Sequence, residues 1–233
     1  SLNPHREDIK DYHLYIKMMI PHPVHDRVLF NLVNGIWDRG LGEERSRSIY
    51  TVGFDGSDLT YIGNCLHHPN WHPIENTILL NVKDFNDMVR FGLYDGDGKG
   101  LLEYVPGFVG SGHPSHRPDG TVICTDRGTR KGGVSVVLCD PATGIEHQLA
   151  EYAAVSGGYV IYKAVAERPA GETVIETLLK SRGREYETWQ TQAHPAWSRD
   201  GRLVLFNADE GRGSQLFAID VAEATGQGRM GNL

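Results

Sequence analysis

One pattern recurs along this chain and restricts its fold more than any other feature. Three segments align without a gap: HPNWHPIENTILLN from His68, HPSHRPDGTVICTD from His113 and HPAWSRDGRLVLFN from His194. Each opens on His-Pro, reaches a turn six to eight residues later and then enters an apolar strand. Each strand ends on Asn or Asp thirteen residues after its histidine, at Asn81, Asp126 and Asn207. A looser copy runs from Met18 through IPHPVHDRVLF to Asn31. Self-similarity at such a period marks one supersecondary unit stacked on itself. The Asp-Gly pairs at 119–120 and 200–201 supply the positive φ of a tight hairpin turn.

Further β candidates follow each strand: SIYTVGFDG, MVRFGLYDGDG, GVSVVLCDPATG and SQLFAIDV. The copies start at 18, 68, 113 and 194, so the steps are 50, 45 and 81 residues. That spacing suits propeller blades of about 40–50 residues, and the last gap has room for a degenerate one. The expected fold is therefore all-β, a β-propeller of four-stranded blades, with four or five blades in this chain. Residues 1–233 read as one propeller domain or propeller fragment, with blades near 14–64, 65–108, 109–150 and 192–230. The stretch 155–191 fits poorly and reads as an insertion or degenerate blade. Within it GETVIETLLKSRG has the pattern of a short amphipathic helix ended by Gly183.

Charge and composition narrow the partners. A formal net charge of -7 argues against a nucleic-acid surface, which needs a basic face. No run of about eighteen apolar residues is present to span a membrane. The opening SLNPHREDIKDYHLY has no signal-peptide apolar core. Three cysteines, Cys65, Cys124 and Cys139, are too few and too sparse for a disulfide framework. An array with two uncovered ends would expose strand edges, so self-association through open blade edges is expected.

The innermost strand of each blade lines the propeller axis, so one register repeated in several blades points into one shared space. His68, His113 and His194 hold such a register and are expected to converge. Imidazoles from separate strands, joined by a thiolate or an amide, make a transition-metal site. Gln192 lies two residues before His194, on the same side of an extended strand, and Cys124 lies on the strand after His113. The expected ligands are His113 and His194 with Gln192 or Cys124. A plainer reading has each His-Pro cap a blade edge, its imidazole bonded to a backbone carbonyl. His22 and His25 sit in the first turn, at the rim or simply in solvent. The run DGDGKG at 95–100 lacks the glutamate of a calcium loop and reads as a hairpin turn.

The phrases GHPSHRPDGTVICTD and AHPAWSRDGRLVLFN are variants of the blade signature of TolB-like propellers. With histidine before the proline, they resemble the propeller-type polysaccharide lyases, the oligogalacturonate and ulvan lyases, most clearly over residues 66–221. Those enzymes are seven-bladed, more blades than this chain holds, so the chain reads as a fragment, an unusually small propeller or part of an assembly. The resemblance implies a bound divalent metal, zinc or manganese with calcium as a third option. It also implies an acidic oligosaccharide or polysaccharide as substrate and a secreted or periplasmic setting. Eliminative cleavage of a uronate needs its carboxylate neutralised, a base for the ring proton beside it, and an acid for the leaving oxygen. The resemblance places tyrosines in the groove, and Tyr94 and Tyr152 follow blade strands here, although either also suits plain packing. His68 is the further imidazole, and Arg127 with Arg130 and Lys131 forms the best anion-binding cluster or a solvated loop. The rivals are a non-catalytic TolB-like module for binding or scaffolding, and the propeller domain of a larger hydrolase.

Overall fold

The computed structural model describes residues 13–35, 46–64, 67–129, 133–153, 192–209 and 214–224. Four antiparallel sheets follow one another along the chain as propeller blades. The first comprises β1 (His13–Pro21), β2 (Arg27–Gly35), β3 (Ser46–Gly53) and β4 (Thr60–Asn64), paired in chain order. The second comprises β5 (His67–Trp71), β6 (Thr77–Lys83), β7 (Val89–Asp95) and β8 (Leu101–Val109). The third comprises β9 (Ser115–His116), β10 (Ile123–Gly128), β11 (Gly133–Cys139) and β12 (Glu146–Ala153). The fourth, with three described strands, comprises β13 (Ala196–Trp197), β14 (Leu203–Asp209) and β15 (Ser214–Asp220), followed by one helical turn, α1 (Val221–Ala224). The helix expected within 155–191, together with Arg130, Lys131 and Cys65, lies outside the described residues.

The repeated motif builds the first hairpin of each blade. Gly120 and Gly201 take φ of 78° and 69°, and their amides close turns onto the carbonyls of Arg117 and Ser198. Asp119 and Asp200 accept the amides two residues on, which fixes the turn from its side chain. The DGDGKG segment is the β7–β8 hairpin turn, with Asp95 accepting the Asp97 amide.

Strand alternation assigns each apolar side chain to one neighbour. Ile78, Ile123 and Val204 occupy one register and pack against the preceding blade. Leu29, Leu79 and Cys124 occupy the next position and pack against the following blade. Three buried clusters result, between the first and second, second and third, and third and fourth sheets. Among the described residues no such cluster joins the first sheet to the last.

Polar staples repeat with the same step. The Trp71 indole donates to the Ile20 carbonyl at 3.0 Å and the Trp197 indole to the Ser115 carbonyl at 3.1 Å. His22 is buried: its Nδ1 accepts the amides of Val24 and His25, and its Nε2 reaches the Glu75 carbonyl at 3.0 Å. It is therefore a blade-to-blade tie rather than a rim group.

Candidate functional site

The equivalent histidines of three successive blades stand side by side. The His68 and His113 rings are 4.3 Å apart between centroids, and those of His113 and His194 are 3.8 Å apart. Half-buried His68 and His113 lead to exposed His194. At the same register the first blade carries Met18.

The backbone at this register is unusual. Met18, His68 and His194 have φ of 54°, 52° and 42°, in the left-handed region that non-glycine residues rarely enter. In β1 and β5 the position coincides with a break in register against the neighbouring strand, between Lys17 and Ile20 and between His67 and Asn70. A bulge of this kind re-aims a side chain. Methionine adopts it too, so the geometry does not depend on histidine, and His113 at the same register of the third blade does without it.

The Asn or Asp thirteen residues on anchors the row. Asn31 donates to the Met18 sulfur at 3.3 Å, and Asn81 Nδ2 lies 3.2 Å from His68 Nδ1. Asp126 accepts the His113 backbone amide at 2.7 Å, and both its oxygens lie 2.9 Å from His113 Nδ1. Burial alone would raise the Asp126 carboxyl, but the hydrogen bonds and charge of His113 outweigh it and hold the group below the usual range. A proton on His113 Nδ1 leaves the lone pair on Nε2, as in carboxylate–histidine pairs that support a metal. Asn81 also donates to the Gly112 carbonyl at 2.8 Å and accepts its amide at 3.1 Å, clamping the start of the next blade. A side chain at Gly112 would collide with the Asp126 carbonyl and the Thr125 hydroxyl.

Gln192 does join His194: its Oε1 lies 2.9 Å from His194 Nε2. Although His194 is exposed, partial desolvation by its neighbours, then the charge of His113, lowers its pKa against the opposing charge of Asp126. Tyr152 lies at the same end of the sheets. Its hydroxyl donates to the Asn207 carbonyl at 2.9 Å, and burial with the Asp126 charge pushes its pKa to about 12.

Three expected site residues are engaged elsewhere. Cys124 is fully buried in the cluster between the third and fourth blades, where desolvation raises the thiol pKa and opposes the thiolate a metal needs. Tyr94 packs into the cluster between the first and second blades, and burial raises its pKa. Arg127 is paired with Glu146 at 2.7 Å. The anchoring role of Asp126 and Asn81 goes beyond the strand-end signal that marks them in sequence.

The donors suit a transition metal chemically: three imidazoles, one of them oriented by a carboxylate, and an amide. Among the described residues no three His, Cys, Asp or Glu side chains are grouped so as to hold a metal ion. His194 touches both His113 and Gln192, its Nε2 being hydrogen-bonded to Gln192 Oε1.

No family model matches the chain, and no curated protein matches it. Among solved structures, TolB from Acinetobacter baumannii aligns with a TM-score of 0.55 at 15% identity, over 88% of this chain and 41% of that one. A putative TolB from Agrobacterium tumefaciens gives 0.54 at 12%, over 89% and 59%. An oligogalacturonate lyase in complex with manganese gives 0.48 at 14%, over 93% and 68%. The chain has the β-propeller fold of the TolB structures and spans about two- to three-fifths of their length. No described helix is long and apolar enough to cross a membrane.

Proposed function

We propose that the protein is a secreted or periplasmic polysaccharide lyase that cleaves a uronate-containing glycan by β-elimination, with a divalent metal at the histidine row. The observation that carries this reading is the row itself, three imidazoles from three blades with Asp126 oriented on the central one. His113, His194 and Gln192 are the residues that would hold zinc or manganese, which when bound would supply positive charge for the substrate carboxylate. His68, in ring contact with His113, is the base that takes the ring proton beside the carboxylate. Tyr152 retains its proton at neutral pH and is the acid for the leaving oxygen. Its present bond to the Asn207 carbonyl is exchanged for one to the glycosidic oxygen.

A second reading is a non-catalytic binding module, in which the bonds of His113 to Asp126 and of His194 to Gln192 serve only to lock the blade starts, as the buried His22 does between the first two blades. Metal content and activity separate the two. The lyase reading expects one metal per chain, lost in His113→Ala and His194→Ala, and unsaturated-uronate absorbance on incubation with ulvan or pectate oligomers. A metal-free wild-type protein, silent on both glycans after reconstitution with zinc or manganese, would leave the binding module standing.

A further inference from the structure

Strand alternation gives every sheet a leading face toward the preceding blade and a trailing face toward the following one. On the leading side Ile78, Ile123 and Val204 are fully buried, and two residues on Leu80, Thr125 and Phe206 are buried too. In the first sheet Val28 and Phe30 hold these registers and are only half-buried. Phe30 stacks on Tyr50 at 5.7 Å between centroids, and Tyr50 meets exposed Tyr61 edge-on at 5.4 Å. The trailing side repeats the contrast at the far end of the array. Ile49, Phe91 and Val136 pair with the Asn or Asp that ends each motif, and all three are fully buried. Their equivalent in the fourth sheet is Leu216, which pairs with Asn207 and is 68% exposed. Beside it Leu205 is half-buried and its ladder partner Ala218 is exposed.

Each of these two faces is one half of a joint that the chain builds three times within itself. The surface that fits such a half is the other half, and this chain carries both. Their bulk is matched as well. The leading half sets Phe30 opposite Tyr50 where the second sheet has Leu80 opposite Gly92. The trailing half has Ala218 where the second and third sheets have Leu93 and Leu138, which leaves room for the rings. Strands β14 and β15 are each 7 residues long. A face three such strands wide covers about 14 by 23 Å, so one joint buries about 650 Å² over its two sides. That is no more than a crystal contact, whereas two joints bury about 1,300 Å², within the range of stable complexes. Head-to-tail joints reach that area in the smallest assembly when two copies close on each other. Eight blades lie at the upper end of the usual propeller range.

We propose that two copies of this chain join head to tail in a closed eight-bladed ring, the first sheet of each on the fourth sheet of the other. Contact is through sheet faces rather than strand edges. Equal registers of joined blades stand side by side, with ring centroids 4.3 and 3.8 Å apart along the histidine row. The new joint therefore sets Met18 of the second copy beside His194, and each row runs on into the other copy's first blade. The proposal stands on the packing alone and does not depend on the lyase reading.

Sedimentation equilibrium of the wild-type chain, Phe30→Lys and Leu216→Lys tests it. The wild type should have twice the mass of one chain. Either lysine enters both joints, so each variant should raise the dimer dissociation constant at least about 100-fold while keeping the far-ultraviolet circular dichroism of the wild type. Loss of the dimer in only one of the two variants would overturn the head-to-tail arrangement. A wild-type monomer at every concentration would overturn the second copy and leave the two faces to a different polypeptide. Cross-linking gives a readout that needs neither lysine variant to fold. Above the wild-type background, a short bismaleimide should couple two copies of the double variant Val28→Cys, Leu205→Cys, and should not couple either single variant. Coupling within one chain would overturn the proposal in favour of an array that closes on itself.

Discussion

His116 makes the fold acid-sensitive in a window where carboxylates are still ionised. It holds the register that Trp71 and Trp197 occupy in neighbouring blades, with only 8% of its surface exposed. Its Nδ1 is buried without a hydrogen-bond partner, and the His72 ring stands 4.7 Å away. Desolvation, then the charge of His72, lowers its pKa from 6.5 to about 3. The unfolded chain therefore binds a proton that the folded chain refuses. Stability from this group is complete above pH 6.5 and is lost as pH falls from there toward 3. Between pH 7.5 and pH 5 the loss is about 2 kcal/mol, set almost wholly by the unfolded-state value. His22 and His194, also lowered by burial, act in the same direction. Urea unfolding followed by tryptophan fluorescence at pH 7.5, 6 and 5 measures it. His116→Phe should keep its stability at pH 7.5, having no Nδ1 bond to lose, and should shed about 2 kcal/mol of the pH dependence. Equal losses in the wild type and His116→Phe would refute the argument.

Other outcomes follow from the same contacts. Asp126→Asn should weaken zinc or manganese binding about 10- to 100-fold by calorimetry, because the carboxylate orients His113. Cys124→Ser should leave metal content unchanged and lower stability by about 1–3 kcal/mol in urea, since it puts a hydroxyl into an apolar cluster. Trp71→Phe should cost at least about 1 kcal/mol through the lost bond to the Ile20 carbonyl, read from the shift of the urea midpoint.

The blade pattern was legible because its signals are local. A strand, an Asp-Gly turn and a second strand fall within fourteen residues, and strand alternation does the rest. The histidine row was legible for the same reason, since equal register in stacked units places equal residues side by side. Contacts between blades were not. His22 meets Glu75 across 53 positions and Trp197 meets Ser115 across 82, pairings that appear only once the blades are stacked. Side-chain allegiance was hidden too. Arg127 looked available for an anion beside Asp126, yet Glu146 on β12 takes its charge. Cys124 and Asp126 lie two apart on one strand, but the first serves the core and the second the row.

The alternating registers that give each apolar residue a single neighbouring blade also determine how the molecule comes apart. Every described cluster is shared by two consecutive sheets, so free energy is stored in the joints between them, as in a linear array of coupled units. The second and third sheets each draw on two joints. The first and last draw on one each, because Val28 and Leu205, at the corresponding registers, enter none of the clusters. On the described contacts the second and third sheets are the best held against local opening. His68 and His113 ride on the two best-held sheets, whereas His194 and Gln192 ride on a terminal one. Fraying of that last unit would pull the row apart while leaving two of its rings in place.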